Sequence, residues 1–441
     1  MAEVSNEAAP SGLGVPAIVA RSSMRKVTSL ASALVAVEIV PAVLLVAASL
    51  ISTKALPYAL AGMSVLWLAR WLAQGHPSRS TPLDWPILLM VALLPVTLWV
   101  TIAPGITTPQ VYRLLVAIGF YYSIVNWGSS ATRLRWLGWG LIAAGFMLVI
   151  LAPFSVGAKG VARIGFIPAL HLTNFSPDAS TETNANVLAG SLAILFAFGS
   201  GLLAFAGQDL SPVKRAAVLL MLLLTLGALA LTGSRGALVA AAVTLLVLIG
   251  LRWRRAWLFE LGAAIAGALL LWRLALATQM GSLVASKAIG ALVQRREIWL
   301  RAIYMIEDFP FTGVGMGNFA GIANLLYPFP EEGVDPIIPH AHNLFLQVAV
   351  DLGLLGLAAW LGMLVFVVYA AWQIHVRGRE THDAWLAGLG AGLLCAQVAL
   401  IAHGLTDAVV WGTRPAVLVW AMWGLTVAAW IGITRTLRDP Q

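Results

Sequence analysis

The chain has 441 residues, of which 60% are hydrophobic and only 10% are charged. Soluble globular domains carry about 25% charged residues, so this composition excludes a water-soluble globule and calls for lipid as the solvent. The formal net charge of +8 sits mostly at the ends of apolar runs, which points to membrane lipids as partners and to no nucleic acid.

In chain order, residues 1–28 read as a cytoplasmic tail, polar and small, then basic at Arg25 and Lys26, with no early apolar core of a cleavable signal peptide. Residues 29–434 read as one polytopic transmembrane domain and 435–441 as a short cytoplasmic tail. A spanning helix needs about 20 mostly apolar residues. Twelve segments qualify: 29–51, 55–74, 85–104, 109–127, 135–156, 185–206, 214–232, 236–252, 256–276, 344–373, 384–404 and 414–434. None alternates like the strands of a barrel, so the expected fold is an all-α integral membrane protein of about 12 transmembrane helices. The 18 Trp suit membrane interfaces. Cys395 is the single cysteine, so no intrachain disulfide is possible.

Orientation follows from the basic residues. With the N-terminus inside, the inner connections carry most of the 27 Lys and Arg, among them Arg70, Arg79, Arg133, Arg135, Lys214, Arg215, Arg252, Arg377 and Arg379. Both termini are then cytoplasmic. Two outer connections are long, 157–184 and 277–343. The second lies between spans nine and ten and holds "LVASKAIGALVQRREIWLRAIYMI", whose Ile289, Leu292, Val293, Trp299, Leu300 and Ile303 recur at helical spacing. An amphipathic helix on the outer membrane face is expected there. "FPFTGVGMGNF" follows. It lacks the preceding strand and the Lys-Ser of a phosphate loop, and reads as a turn.

The remaining basic residues are on the outer side: Lys54, Arg113, Lys159, Arg163, Arg235, Arg273, Lys287, Arg295, Arg296, Arg301 and Arg414. Positive charge there opposes the topogenic preference, and an anion is the obvious holder. Arg295 and Arg296 occupy the gap in the apolar stripe of the amphipathic helix, where a guanidinium is costly unless paired. Arg also presents a planar fork that suits phosphate. The plain alternative is an arginine that snorkels to headgroups or pairs with a loop carboxylate.

In "PHAHNLFLQVAVDLGLLG", His340, His342 and Asn343 stand where a helix begins. The positive end of a helix keeps a nearby imidazole neutral, and a neutral imidazole is a competent general base. Such a His-x-His pair can bind zinc when extended, but no Cys or carboxylate cluster completes a metal site in the sequence. A histidine hydrogen-bonded to its own loop is the bland reading. In "LIAHGLTDAVV", His403 and Asp407 are four apart and share a face. Asp407 is placed to orient an arginine or His342, or to serve as a plain structural partner. Asn184 and Asn186 in "TETNANVLAG" suit sugar hydroxyls, or simply cap the next helix. Glu38, Glu260 and Asp351 lie within spans with no role assigned.

These motifs together resemble the O-antigen ligase and polymerase superfamily. "HNLFLQVAVDLGLLG" looks like its signature, a His followed by Asn and then a Gly ten positions on, here Gly353. "LTGSRGAL" resembles its Ser-Arg-Gly turn, "QRREIWLRAI" and "FPFTGVGMGNF" its arginine helix and Gly-rich turn, and "TNANVLAG" its Asn-rich entry to a span. The matches run in family order along 184–356, with "HGLTD" beyond. The resemblance implies a glycosyltransferase of the bacterial inner membrane with a periplasmic active site and no cofactor. The implied donor is a glycan on undecaprenyl pyrophosphate and the implied acceptor a sugar of lipid A–core. A polymerase would use a second lipid-linked glycan, and a protein O-oligosaccharyltransferase a protein hydroxyl. His342 is then the expected general base, with Arg235 and Arg295 on the leaving pyrophosphate. Arg296, His340, Asn343, Asn184, Asn186, His403 and Asp407 are expected to bind substrate. The transfer is expected to be inverting and metal-independent. A secondary transporter is the rival from another class, but transporters gather polar groups near the midplane, not at one rim.

Overall fold

The computed structural model describes residues 27–155, 185–253, 283–328, 338–408 and 410–438, with Gly262 and Leu269 besides. The described residues form helices and no strand. In order they are α1 (Val27–Ala36), α2 (Ile39–Ile51), α3 (Leu56–Gln74), α4 (Asp84–Val100), α5 (Pro104–Trp127), α6 (Ala131–Ser155), α7 (Ala185–Ala206), α8 (Pro212–Thr232), α9 (Arg235–Arg252), α10 (Leu283–Asp308), α11 (Phe319–Leu326), α12 (Leu344–Glu380), α13 (Ala384–Gly404) and α14 (Ala416–Arg438).

Among the described residues eight helices are long and apolar enough to cross a membrane, or nine if α1 and α2 form one span. The chain is a multi-pass membrane protein. The expected twelve are not reached for three local reasons. Of the expected span at 256–276 only Gly262 and Leu269 are among the described residues. Helix α4 has 17 residues and an internal Pro95. Helix α5 is long enough but carries Gln110, Arg113 and Asn126, which lower its apolarity. The expected span 29–51 is also not straight, because α1 and α2 meet at 69°. Glu38 lies in that bend and accepts from Arg70 Nη1 at 2.9 Å, each side chain 1% exposed. Arg70 Nε donates to Pro77 O as well. Removing one partner of a buried ion pair leaves an uncompensated charge, at a cost of about 3–5 kcal/mol. Arg70→Met should lower the thermal midpoint in detergent, and Arg70→Met with Glu38→Leu should recover most of it.

The centre of the bundle is the pair α7 and α13, the most deeply buried of the spans. Gly388 and Gly392 of α13 let the α7 backbone approach, and a Cβ on Gly392 would stand 2.5 Å from Phe198 O. Gly390, on the other face, abuts the α12 backbone, where a Cβ would meet His375 N at 2.3 Å. Small residues that admit close backbone contact are how helices associate in lipid. In this way α13 is held between α7 and α12.

Helix α12 is broken at Gly353, whose φ of 72° and ψ of −179° lie in a region open essentially to glycine. The break frees a carbonyl and an amide, and the Gly-rich turn takes both. Val314 N donates to Val350 O at 2.8 Å and Leu354 N donates to Pro310 O at 2.7 Å. The buried face of α10 is Ile298, Arg301, Ala302 and Met305. Trp299 and Leu300 are half-buried, and Ile303 is exposed. The protein-facing stripe is therefore a different one from the apolar stripe expected on the membrane face, of which Ile303 is exposed. Arg295 extends this stripe by one heptad step from Ala302. Arg301 is answered within the protein by Glu297 and by Pro328 O.

Candidate functional site

The turn before α12 is built from its own residues upward. Asn343 caps the helix, its Oδ1 accepting from Phe345 N and Leu346 N at 3.0 Å. Its Nδ2 donates to Leu405 O at 3.2 Å, which ties the turn to the end of α13. His342 has a positive φ of 47°, a conformation that costs a non-glycine residue and clusters at functional positions. Ala341 N donates to Gln347 Oε1 at 2.7 Å, and Gln347 Nε2 donates to Asp351 Oδ1 at 2.9 Å. Asp351 also accepts from Gly317 N at 3.2 Å and from Trp411 Nε1 at 2.8 Å. This buried carboxylate thus joins the histidine turn, the Gly-rich turn and the 405–415 loop. Sequence reasoning gave Asp351 no role and passed over Gln347 and Trp411. The signal was present: Gln347 and Asp351 are four apart in an otherwise apolar run, so they share a helix face.

The turn places two imidazoles against one carboxylate. His342 Nδ1 lies 3.4 Å from Asp407 Oδ1, and His340 Nε2 lies 3.7 Å from the same atom. The two rings are 4.3 Å apart. His342 Nδ1 is buried without a formed hydrogen bond. Asp407 is 3% exposed and stands in the turn that follows α13, its N–H donating to His403 O. Its Oδ1 also accepts from Ala408 N at 2.8 Å. Burial alone would raise the Asp407 carboxyl. The facing imidazole of His342 and the charges of His340, His342 and His403 outweigh it and hold the group below its ordinary value. Burial, then the neighbouring His342, push His340 down to about 4, so that it is neutral at pH 7. His340 Nδ1 accepts from His342 N at 3.2 Å. The neutral ring therefore carries its proton on Nε2 and presents a donor to Asp407.

His340, His342 and Asp407 each bring one ligand-type atom within 4.8 Å of the others. The sequence suggested that no carboxylate completes the His-x-His pair, and the fold corrects this, since the turn after α13 brings Asp407 to it. The chemistry of the donor set still favours a hydrogen-bonded cluster. A metal on His340 Nε2 would force the proton onto Nδ1, where it would face the His342 N–H donor-to-donor.

The arginines approach the same end. Gly236 follows Arg235 and abuts the turn after α13, where a Cβ would meet Thr406 Oγ1 at 2.4 Å and His403 Cδ2 at 3.3 Å. This close approach sets the start of α9, with the exposed Arg235, against the turn after α13 that carries Asp407, and it is the physical reason for a Gly in "SRG". Arg295 is half-buried and close enough for its charge to act on His403, itself buried. Arg296 is exposed and turned away from the buried stripe. Asn186 opens α7 half-buried, while Asn184 and the loop 157–184 lie outside the described residues. The fold thus brings His340, His342, Asn343, His403, Asp407, Arg235 and Arg295 to one end of the bundle.

Residues 219–361, from within α8 to within α12, match the family model described as O-antigen ligase. The matched stretch contains Arg235, Arg295 and His342 and ends before Asp407. No curated protein matches the chain.

Proposed function

We propose that the chain is a member of the O-antigen ligase superfamily, whose family model its residues 219–361 match, and that it transfers an O-antigen glycan from undecaprenyl pyrophosphate to a sugar of lipid A–core at the periplasmic face of the inner membrane. The observation that carries this reading is the meeting of a carboxylate–imidazole pair with two arginines at one end of the bundle. A periplasmic transfer needs a donor that is already activated, and a sugar pyrophosphate is one.

The chemistry follows from the geometry. With Asp407 facing His342 Nδ1, that nitrogen holds the proton and Nε2 carries the lone pair. His342 Nε2 takes the proton of the acceptor hydroxyl as its oxygen bonds to the anomeric carbon. The bond from that carbon to the pyrophosphate oxygen breaks, and undecaprenyl pyrophosphate leaves from the opposite face, so the configuration inverts. Arg235 and Arg295 meet the negative charge that builds on the leaving group. The 3.4 Å separation of His342 and Asp407 suits an unloaded site, where catalytic hydrogen bonds are often long.

The test is transfer in vitro with purified protein, lipid-linked glycan and lipid A–core, in the presence of EDTA. Glycan on lipid A–core from the wild type and none from His342→Ala would support the ligase. Longer lipid-linked glycan without product on lipid A would mean a polymerase, and glycan on an added protein acceptor a protein-glycosylating enzyme. Solute uptake into vesicles without any transfer would mean a transporter. Arg295→Ala should lower kcat by about 10²–10³-fold, the cost of one preorganised donor to a developing anion. Arg296→Ala should change it by less than about three-fold, as expected of an exposed charge. Equal effects of the two substitutions would sink the assignment of Arg295.

A further inference from the structure

Arg113, among the outer-side arginines, has no part in the site above. Arg113 lies in α5, half-buried, in a cleft lined by Ser49, Leu50, Arg113, Val116, Thr413 and Arg414. Its Nη1 donates to Gly412 O at 3.2 Å. Its Nε is buried and has no hydrogen-bond partner. Among the described residues, the charge that bears on it is that of Arg414, which has the same sign. A guanidinium in such a place is costly without a counter-charge, and a buried donor without an acceptor calls for one.

The cleft opens at the same end of the bundle as the histidine turn. Ser49 and Leu50 are in the last turn of α2, and Arg414 stands two residues before α14. The 405–415 loop carries Asp407 at its start and Thr413 and Arg414 at its finish, so it separates the two places. Leu50 and Val116 give the cleft an apolar wall, which fits an anion carried on a lipid better than a free one. Two guanidiniums in one cleft suit the several oxygens of a phosphate.

We propose that the Arg113–Arg414 cleft binds the phosphate of a lipid seated in the outer leaflet, distinct from the pyrophosphate held near His342. The identification of that lipid as the acceptor, the phosphorylated lipid A, rests on the ligase reading.

The test is binding of defined lipids to the purified full chain in detergent, for wild type, Arg113→Gln, Arg414→Gln and Arg113→Lys. The probes are lipid A–core with its phosphates, the same lipid after phosphatase treatment, phosphatidylglycerol and inorganic phosphate. Loss of one charge-assisted contact predicts about a ten-fold weaker Kd for a phosphorylated lipid in both Gln variants. Arg113→Lys should recover most of it, and the phosphatase-treated lipid should not distinguish the four proteins. An effect confined to lipid A–core identifies the acceptor, with its apparent KM in transfer rising by the same factor. An equal effect on phosphatidylglycerol identifies a bilayer lipid. Four proteins that bind every lipid alike, or an effect seen with inorganic phosphate alone, would overturn the proposal. Binding is read without transfer, so an absence of transfer would count against the ligase reading and leave this result interpretable.

Discussion

Asp407→Asn will lower transfer by on the order of 10³–10⁴-fold while the protein stays folded. The amide keeps the shape of the carboxylate, and its oxygen can still accept from Ala408 N, the contact made at 2.8 Å now. What changes is the charge facing His342. The oxygen that accepts from Ala408 N is the one that faces Nδ1, so with that contact kept the amide leaves the imidazolium formed in the proposed step without its counter-charge. A purely structural Asp407 would give the opposite pattern, a lower melting midpoint in detergent with nearly normal turnover in the fraction that survives. Measuring kcat beside the midpoint separates the two. Near-normal kcat in folded Asp407→Asn would remove the carboxylate from the mechanism. His340→Gln tests the neighbouring ring, which faces the same oxygen at 3.7 Å and has no proton to take in the proposed step. Its effect on kcat should stay within about ten-fold.

Gly353→Ala will cost stability and activity together. The backbone conformation there is strained by about 1–3 kcal/mol for any residue with a Cβ. The new methyl would also stand 2.7 Å from the Phe311 carbonyl carbon and 2.8 Å from Pro310 O, which are backbone atoms and cannot swing aside. The Gly-rich turn must shift, and Val314 N–Val350 O and Leu354 N–Pro310 O weaken with it. Asp351 then loses its hold on Gly317, and the strain reaches Gln347 and the histidine turn. The control is Gly362→Ala in the same helix, where an added Cβ meets nothing within 4 Å. That change should be neutral or stabilising by about 0.5–1 kcal/mol. Equal midpoints for the two variants would show that the break in α12 carries no strain.

The signature His-Asn with a Gly ten residues on takes physical form here. The His is strained and faces a carboxylate, the Asn caps the helix, and the Gly breaks that helix under the Gly-rich turn. The apolar runs made most of the helices legible, since lipid leaves a backbone little choice but to satisfy itself. The breaks were not legible. Glu38 inside the run 29–51 was visible, but its pairing with Arg70 depends on how α2 and α3 pack. Periodicity left Arg295 and Arg296 equally placed in the gap of the apolar stripe, and their difference in burial depends on which side of α10 meets the protein. His342 and Asp407 could be named separately from sequence, but their meeting depends on α12 and α13 lying side by side. The Asn-rich loop 157–184 lies outside the described residues.

That side-by-side nesting has a consequence for the spacing of the chemistry. His342, the proposed base, heads α12 and Asp407 follows α13, so the gap between them is measured from helix to helix. Gly390 sits roughly 20 Å down the axis from His403 at 1.5 Å per residue, and it fixes how near the two helices lie. A methyl group there would act as a shim, widening at the rim a contact that is now 3.4 Å. The tolerance of the proposed reaction is in this way set deep in the bilayer, by a side chain that is missing.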